Sequence, residues 1–191
     1  MTQDYFSIQH ALSVNIEPVS VSQVPATLSA LDTEMPIPFK MANEVANIDT
    51  AALRSIRNLS EQADALADFL QLQNEKINMI MGYVLMQQDD ATHRFETDTF
   101  SAGGMSIFSN KAFTLNHPVR IKLFLPSESA AIYCYGTVSA VMETNNAKQF
   151  SYSFTFTHIR EIDREILIRS TLHIQQQQLK LRAEQRQQNP S

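Results

Sequence analysis

The chain has 191 residues, 43% apolar and 18% charged, which suits one folded domain with an accessory element. A net charge of -5 gives no general electrostatic pull toward nucleic acid or an anionic membrane. The start lacks the basic region and apolar run of a secretory signal, no window suits a membrane span, and the single cysteine, Cys134, cannot form an internal bridge.

The charge is unevenly spread. Residues 1–48 carry five acids and one base, 49–90 seven and three, 91–159 four and five, and 160–191 four and six, so an acidic front half precedes a mildly basic back half. Residues 5–21, YFSIQHALSVNIEPVSV, are β-rich, with Pro18 marking a break or an edge. Residues 22–48 contain Pro25, Pro36 and Pro38 and read as a connection with at most short structure.

Asp49 then offers an N-cap for a long helix over residues 50–87. Ala52, Ile56, Leu59, Ala63, Leu66, Leu70, Gln73, Ile77, Ile80, Val84 and Gln87 alternate spacings of three and four after an opening step of four. Ile56, Ala63, Leu70, Ile77 and Val84 take position a; Leu59, Leu66, Gln73 and Ile80 fall at d. A 3.5-residue repeat held this long predicts a left-handed coiled coil. At 1.5 Å per residue the helix is on the order of 55 Å long, more than a small barrel can cover. Leu53, Ala67 and Met81 at e, with Phe69 and Tyr83 at g, widen the stripe and favour three or four helices over two. Gln73 is a polar interruption that can fix register. The alternative is an amphipathic helix folded back on its own domain.

QQDDATH, residues 87–93, ends the helix, and Asp89 and Asp90 read as surface charge. The period then switches to two. Residues 94–100 and 104–109 flank the turn signal SAGG. In PVRIKLFLP, Val119, Ile121, Leu123 and Leu125 share a face; next come Ile132, Cys134, Val138, Ala140 and Met142, then Phe150, Tyr152, Phe154 and Phe156. This is an antiparallel meander with one buried face, of the kind that curls into a small barrel. From Arg160 a second helix follows, with Ile162, Ile166, Leu167 and Ile174 toward the sheet; its four-glutamine run and tail are expected to fray.

Catalytic signatures are lacking. Four glycines, only two of them adjacent, exclude a phosphate-cradling loop of the GxGxxG or GxxxxGK[ST] type. The histidines His10, His93, His117, His158 and His173 are scattered, with no metal-ligand spacing. Glu96 and Asp98 share a strand face, an arrangement that also describes an ordinary solvated strand. Nothing assembles nucleophile, base and oxyanion stabiliser, so the chain reads as a non-enzyme.

TDTFSAGGMSIFSN, then HPVRIKLFLP, YGTVSAV and FSYSFTFTHIREIDREILIRSTL, resemble a PilZ domain over about residues 92–175. The resemblance implies a six-stranded barrel in which a [DN]xSxxG turn joins two strands, and a receptor for cyclic di-GMP. It carries over only in part. The turn here is Thr99-Phe100-Ser101-Ala102-Gly103-Gly104, keeping Ser101 and Gly104 but placing Thr99 where the family has Asp or Asn. The family's RxxxR segment before the barrel is missing, because residues 1–39 contain no Lys or Arg. The spacing recurs at Arg160–Arg164 and Arg182–Arg186, after the strands, where a helix would present both charges to solvent; Arg94 is the arginine close before the turn.

The halves fit together if residues 1–48 supply the first barrel strand, 49–88 are an inserted coiled-coil helix, 92–180 form the barrel and C-terminal helix, and 181–191 are a polar tail. That arrangement resembles atypical tetrameric PilZ proteins, in which inserted heptad helices form a four-helix coiled coil and nucleotide binding is lost. The expectation is an α+β fold in a cytoplasmic homo-oligomer, an adaptor in cyclic di-GMP signalling that needs no cofactor. The competing expectation is a receptor that still takes cyclic di-GMP through Thr99, Ser101, Gly104 and Arg94 or a neighbouring subunit's arginine. A convergent barrel in an unrelated structural protein is the third reading.

Overall fold

A computed structural model describes residues 5–42, 61–144 and 149–188. The period-two segments are strands: β1 (Ile8–Gln9), β2 (Ser13–Pro18), β3 (Arg94–Phe100), β4 (Gly104–Ser109), β5 (Pro118–Leu125), β6 (Ala130–Glu143) and β7 (Phe150–His158). Their order is β1-β3-β2-β5-β6-β7-β4, all pairs are antiparallel, and β4 pairs back onto β3. β2 to β7 therefore close into a six-stranded barrel, which removes free sheet edges. β1 and β2 lie end to end along β3, β1 opposite Thr99 and Phe100 and β2 opposite Arg94 to Glu96. Thr97 bridges the gap between them: its hydroxyl donates to the His10 carbonyl at 2.7 Å and accepts from the Leu12 N–H at 2.9 Å.

The barrel interior is filled by the alternating residues of these strands, among them Val14, Ile16, Ile121, Leu123, Ile132, Cys134, Val138 and Phe154. Burial pushes the Cys134 thiol well above its ordinary pKa and keeps it protonated. The single buried face expected for the meander is an underestimate. A second core of Val19, Leu31, Met35, Phe39, Ala42, Met81, Leu85, Phe124, Ala131, Tyr133 and Tyr135 lies on the outer face of β5 and β6. This explains the unbroken apolar run at the start of β6, because both faces of that strand are covered.

Part of that cover comes from the stretch read as mere connection. α1 (Leu28–Glu34) is capped by Thr27, whose hydroxyl accepts from the Ala30 N–H at 3.2 Å. Residues 37–42 are again helical (α2), beginning after Pro36, where the ring's fixed φ suits a helix start. Leu31, Met35, Phe39 and Ala42 face the barrel, and Phe39 packs its ring edge on Tyr133 at 5.6 Å.

The inserted helix, α3 (Glu61–Met86), leaves between β2 and β3 and docks its last two turns on the barrel through Met81 and Leu85. Asp49, Ala52, Ile56 and Leu59 of the expected helix lie outside the described residues. α4 (Glu161–Gln188) closes the barrel with Ile166, Leu167 and Ile174, and Ile162 is half-buried. It does not fray at the glutamines. Gln, Leu, Lys and Arg are good helix formers, and Gln178 donates to the Gln9 carbonyl at 3.0 Å.

Candidate functional site

Two features could carry function: the β3–β4 turn and the outer surface of α3. In the turn, the Ser101 hydroxyl accepts from the N–H groups of Gly103 at 3.1 Å and Gly104 at 3.2 Å and donates to the Gly104 carbonyl. Thr99 is tied to the Ser106 hydroxyl at 2.7 Å. Both side chains thus hold the turn itself together. The Gly103 carbonyl accepts from the Phe156 N–H at 2.9 Å, anchoring the turn to β7. Gly104 is required by contact: a Cβ there would collide with the Phe154 carbonyl oxygen and come within 3.3 Å of the Thr155 Cα.

The arginines are placed otherwise than their spacing suggested. Arg94 opens β3, about 20 Å of strand away from the turn that ends it, and its Nε donates to Asp89 at 2.7 Å. Arg164 meets the turn directly, donating from Nη1 to the Ala102 carbonyl at 2.7 Å with its guanidinium 5.2 Å from the Tyr5 ring centre. Arg160 makes two bonds to the buried Asp163 carboxylate, both 2.9 Å, and reaches Asp32 of α1 at 3.1 Å. Neither is the solvated surface charge expected of this spacing. The carbonyl and carboxylate partners become visible only once α4 is packed beside the turn.

Asp89 and Asp90 likewise do more than decorate a connector. Asn15 of β2 donates to the Asp89 carboxylate at 2.7 Å and accepts from the Asp90 N–H at 2.8 Å, fastening the end of α3 to the barrel. The His93 side chain beside it, then the Thr92 N–H, pull the Asp90 pKa down to about 2. On the outer face, Glu34 accepts from Tyr135 at 2.7 Å and Tyr133 at 3.3 Å, and Arg120 pairs with Glu17. Sequence reading gave no role to Asn15, Tyr5 or Glu34.

Along α3, Leu66, Ile77 and Ile80 are exposed, and Leu70, Gln73 and Val84 are half-buried. Ala63 lies in the first turn. Met81, expected beside the seam, is instead committed to the barrel. A groove of about 920 Å³ opens between α3 and the barrel, walled by Met79, Tyr83, Met86, Phe124 and Pro126. Among the described residues, no cluster of His, Cys, Asp or Glu could hold a metal ion, and no helix is long and apolar enough to cross a membrane.

The PilZ domain family model matches residues 75–173, more than half of the chain. The fold is similar to a Xanthomonas campestris protein described as a tetrameric PilZ domain self-assembled via a helical bundle: 14% identity, TM-score 0.58, covering 93% of this chain and 92% of that one. A Bacillus subtilis inhibitor of motility, MotI/DgrA, matches at 13% identity and TM-score 0.49 over 93% of this chain and 53% of its own, so this chain spans about half its length. Escherichia coli YcgR, solved in complex with cyclic di-GMP, matches at 14% identity and TM-score 0.41 over 50% of this chain and 42% of its own. No curated protein sequence matches.

Proposed function

Because this chain belongs to the PilZ domain family, we propose that it is a non-enzymatic, self-associating adaptor of cyclic di-GMP signalling, with the nucleotide site at its turn reduced to a structural role. The observation that carries this reading is the outer surface of α3. Leu66, Ile77 and Ile80 continue the heptad seam with their side chains in water, although Met81 and Leu85 of the same helix are buried. A contiguous apolar face of this kind favours a partner, and a repeat of 3.5 suits another helix. The similar Xanthomonas protein assembles through a helical bundle, which supports a tetramer here. Light scattering of the wild type and of Leu70→Asp/Ile77→Asp tests it. The expected result is an oligomer converted to monomers that keep the β-barrel's circular dichroism; an unchanged mass overturns it.

The reduced site rests on the engagement of its polar groups. Ser101 and Thr99 spend their hydroxyls inside the turn, and no Lys or Arg precedes residue 40 to clamp a phosphate. Each missing charge-assisted bond forgoes about 1.5–3 kcal/mol toward a dianionic dinucleotide. One observation favours the receptor reading: Arg160 and Arg164 stand one helical turn apart, and Arg164 already touches the turn at Ala102. Calorimetric titration with cyclic di-GMP separates the two. Saturable micromolar binding that Ser101→Ala abolishes would establish the receptor and refute the adaptor-only reading.

A further inference from the structure

A second apolar row runs along α3. Phe69, Leu72, Lys76, Met79, Tyr83 and Met86 are spaced three, four, three, four and three, which is the seam Leu70, Gln73, Ile77, Ile80, Val84 and Gln87 displaced by one residue. Its apolar members are all more than half exposed, from 55% for Phe69 to 72% for Met86. The barrel-facing residues Met81 and Leu85 follow Ile80 and Val84 by one residue, on the other flank of the seam. One residue is about 100° of rotation around a helix. The barrel, the seam and the second row thus occupy three successive directions, and the second row lies nearly opposite the barrel.

We propose that the second row seats the α3 helix of a second copy, so that each α3 contacts two neighbours, one on each row, with the barrels outside. This rests on the self-association reading above and adds a second contact surface to it. The occupant is argued from the repeat. The second row has the same period and register as the seam, so the seam of one copy can lie along the second row of the next over the whole shared length. The angle between the rows, about 100°, is near the ~90° that separates a helix's two neighbours in a square four-helix bundle. Such a contact is heterologous and closes on itself as a ring. Lys76, the one charge in the row, has a stem long enough to lie on the apolar surface with its ammonium in water. The lower half of the row, Met79, Tyr83 and Met86, also walls the groove against Phe124 and Pro126, so a helix seated there stands against the barrel end too.

Wild-type mass by sedimentation equilibrium, combined with peroxide oxidation read by mass spectrometry, tests the proposal. In the assembled protein Met79 and Met86 should oxidise roughly tenfold more slowly than Met142, an exposed methionine on β6. Leu72→Glu/Met79→Glu should lower the mass of the assembly while the circular dichroism of the barrel persists. An oligomer in which Met79 and Met86 oxidise as fast as Met142, or a folded double variant of wild-type mass, overturns the second row and leaves the first seam standing. A wild-type monomer overturns both.

Discussion

The Arg164 guanidinium donates to the Ala102 carbonyl at 2.7 Å while lying over the ring of Tyr5. The turn between β3 and β4 is therefore pinned from three sides: by its own Ser101 hydroxyl, by the Phe156 N–H of β7, and by an arginine of α4. An arginine spent in this way supports backbone. Its fork geometry and stacking capacity suit that position better than a lysine point charge does.

Arg164→Ala should lower stability by about 1.5–3 kcal/mol, the usual contribution of a hydrogen bond to a charged group. Arg164→Lys should recover only part of it, because an ammonium loses the stacking on Tyr5. Urea unfolding followed by circular dichroism reads both. A wild-type midpoint in the alanine variant would show that the contact contributes nothing.

Two glycines should respond in opposite directions to alanine. At Gly104 the added methyl would meet the Phe154 carbonyl, in the middle of the β4–β7 ladder, so Gly104→Ala should cost about 3 kcal/mol. At Gly82 nothing lies within 4 Å, and the residue sits inside α3. There alanine removes a poor helix former and should stabilise by about 0.5–1 kcal/mol. Thermal unfolding of the pair checks the signs; a destabilised Gly82→Ala would mean that the space beside it is occupied.

Acid should loosen the joint between α3 and the barrel. The folded pKa of Asp90 is depressed to about 2, so the unfolded chain binds its proton first as pH falls. The stability Asp90 contributes is thus fully present above about pH 5 and lost progressively toward pH 2. Asp90→Asn should flatten the stability profile across that window. Parallel profiles in the two proteins would remove Asp90 from the account.

Much of this architecture was legible because strands and long helices print their periods on the chain. The alternation from Val119 to Leu125 and from Phe150 to Phe156 placed β5 and β7, and SAGG placed the turn between β3 and β4. α1 and the helical residues 37–42 were hidden by their prolines. Leu31, Met35 and Phe39 have helical spacing, and Thr27 is a good N-cap, but Pro36 interrupts the run and each piece is too short to show a period. The arginine pair was misplaced for another reason. Spacing along a helix tells which side chains are neighbours, whereas only the packed fold brings Asp32, Asp163 and the Ala102 carbonyl to Arg160 and Arg164. Asn15 was invisible in the same way, its partners being 74 and 75 residues distant.

Alkali should act on the second core. Burial, and then the Glu34 carboxylate that accepts its hydroxyl proton, push the Tyr135 pKa above the ordinary value of a tyrosine; burial does the same to Tyr133. A raised folded pKa means that the folded chain keeps its proton when the unfolded chain has already lost it. Stability is therefore full below the unfolded value near about 10 and falls as pH rises beyond it. Tyr135→Phe should reduce this alkaline slope and, at neutral pH, cost about 1.5 kcal/mol for the bond to Glu34. Glu34→Gln should lower the pH at which tyrosinate absorbance appears, since it removes a negative charge from beside the hydroxyl. Urea titrations between about pH 8 and 11 supply the slopes. Identical slopes in wild type and Tyr135→Phe would mean that α1 is held to the barrel by Leu31, Met35 and Phe39 alone.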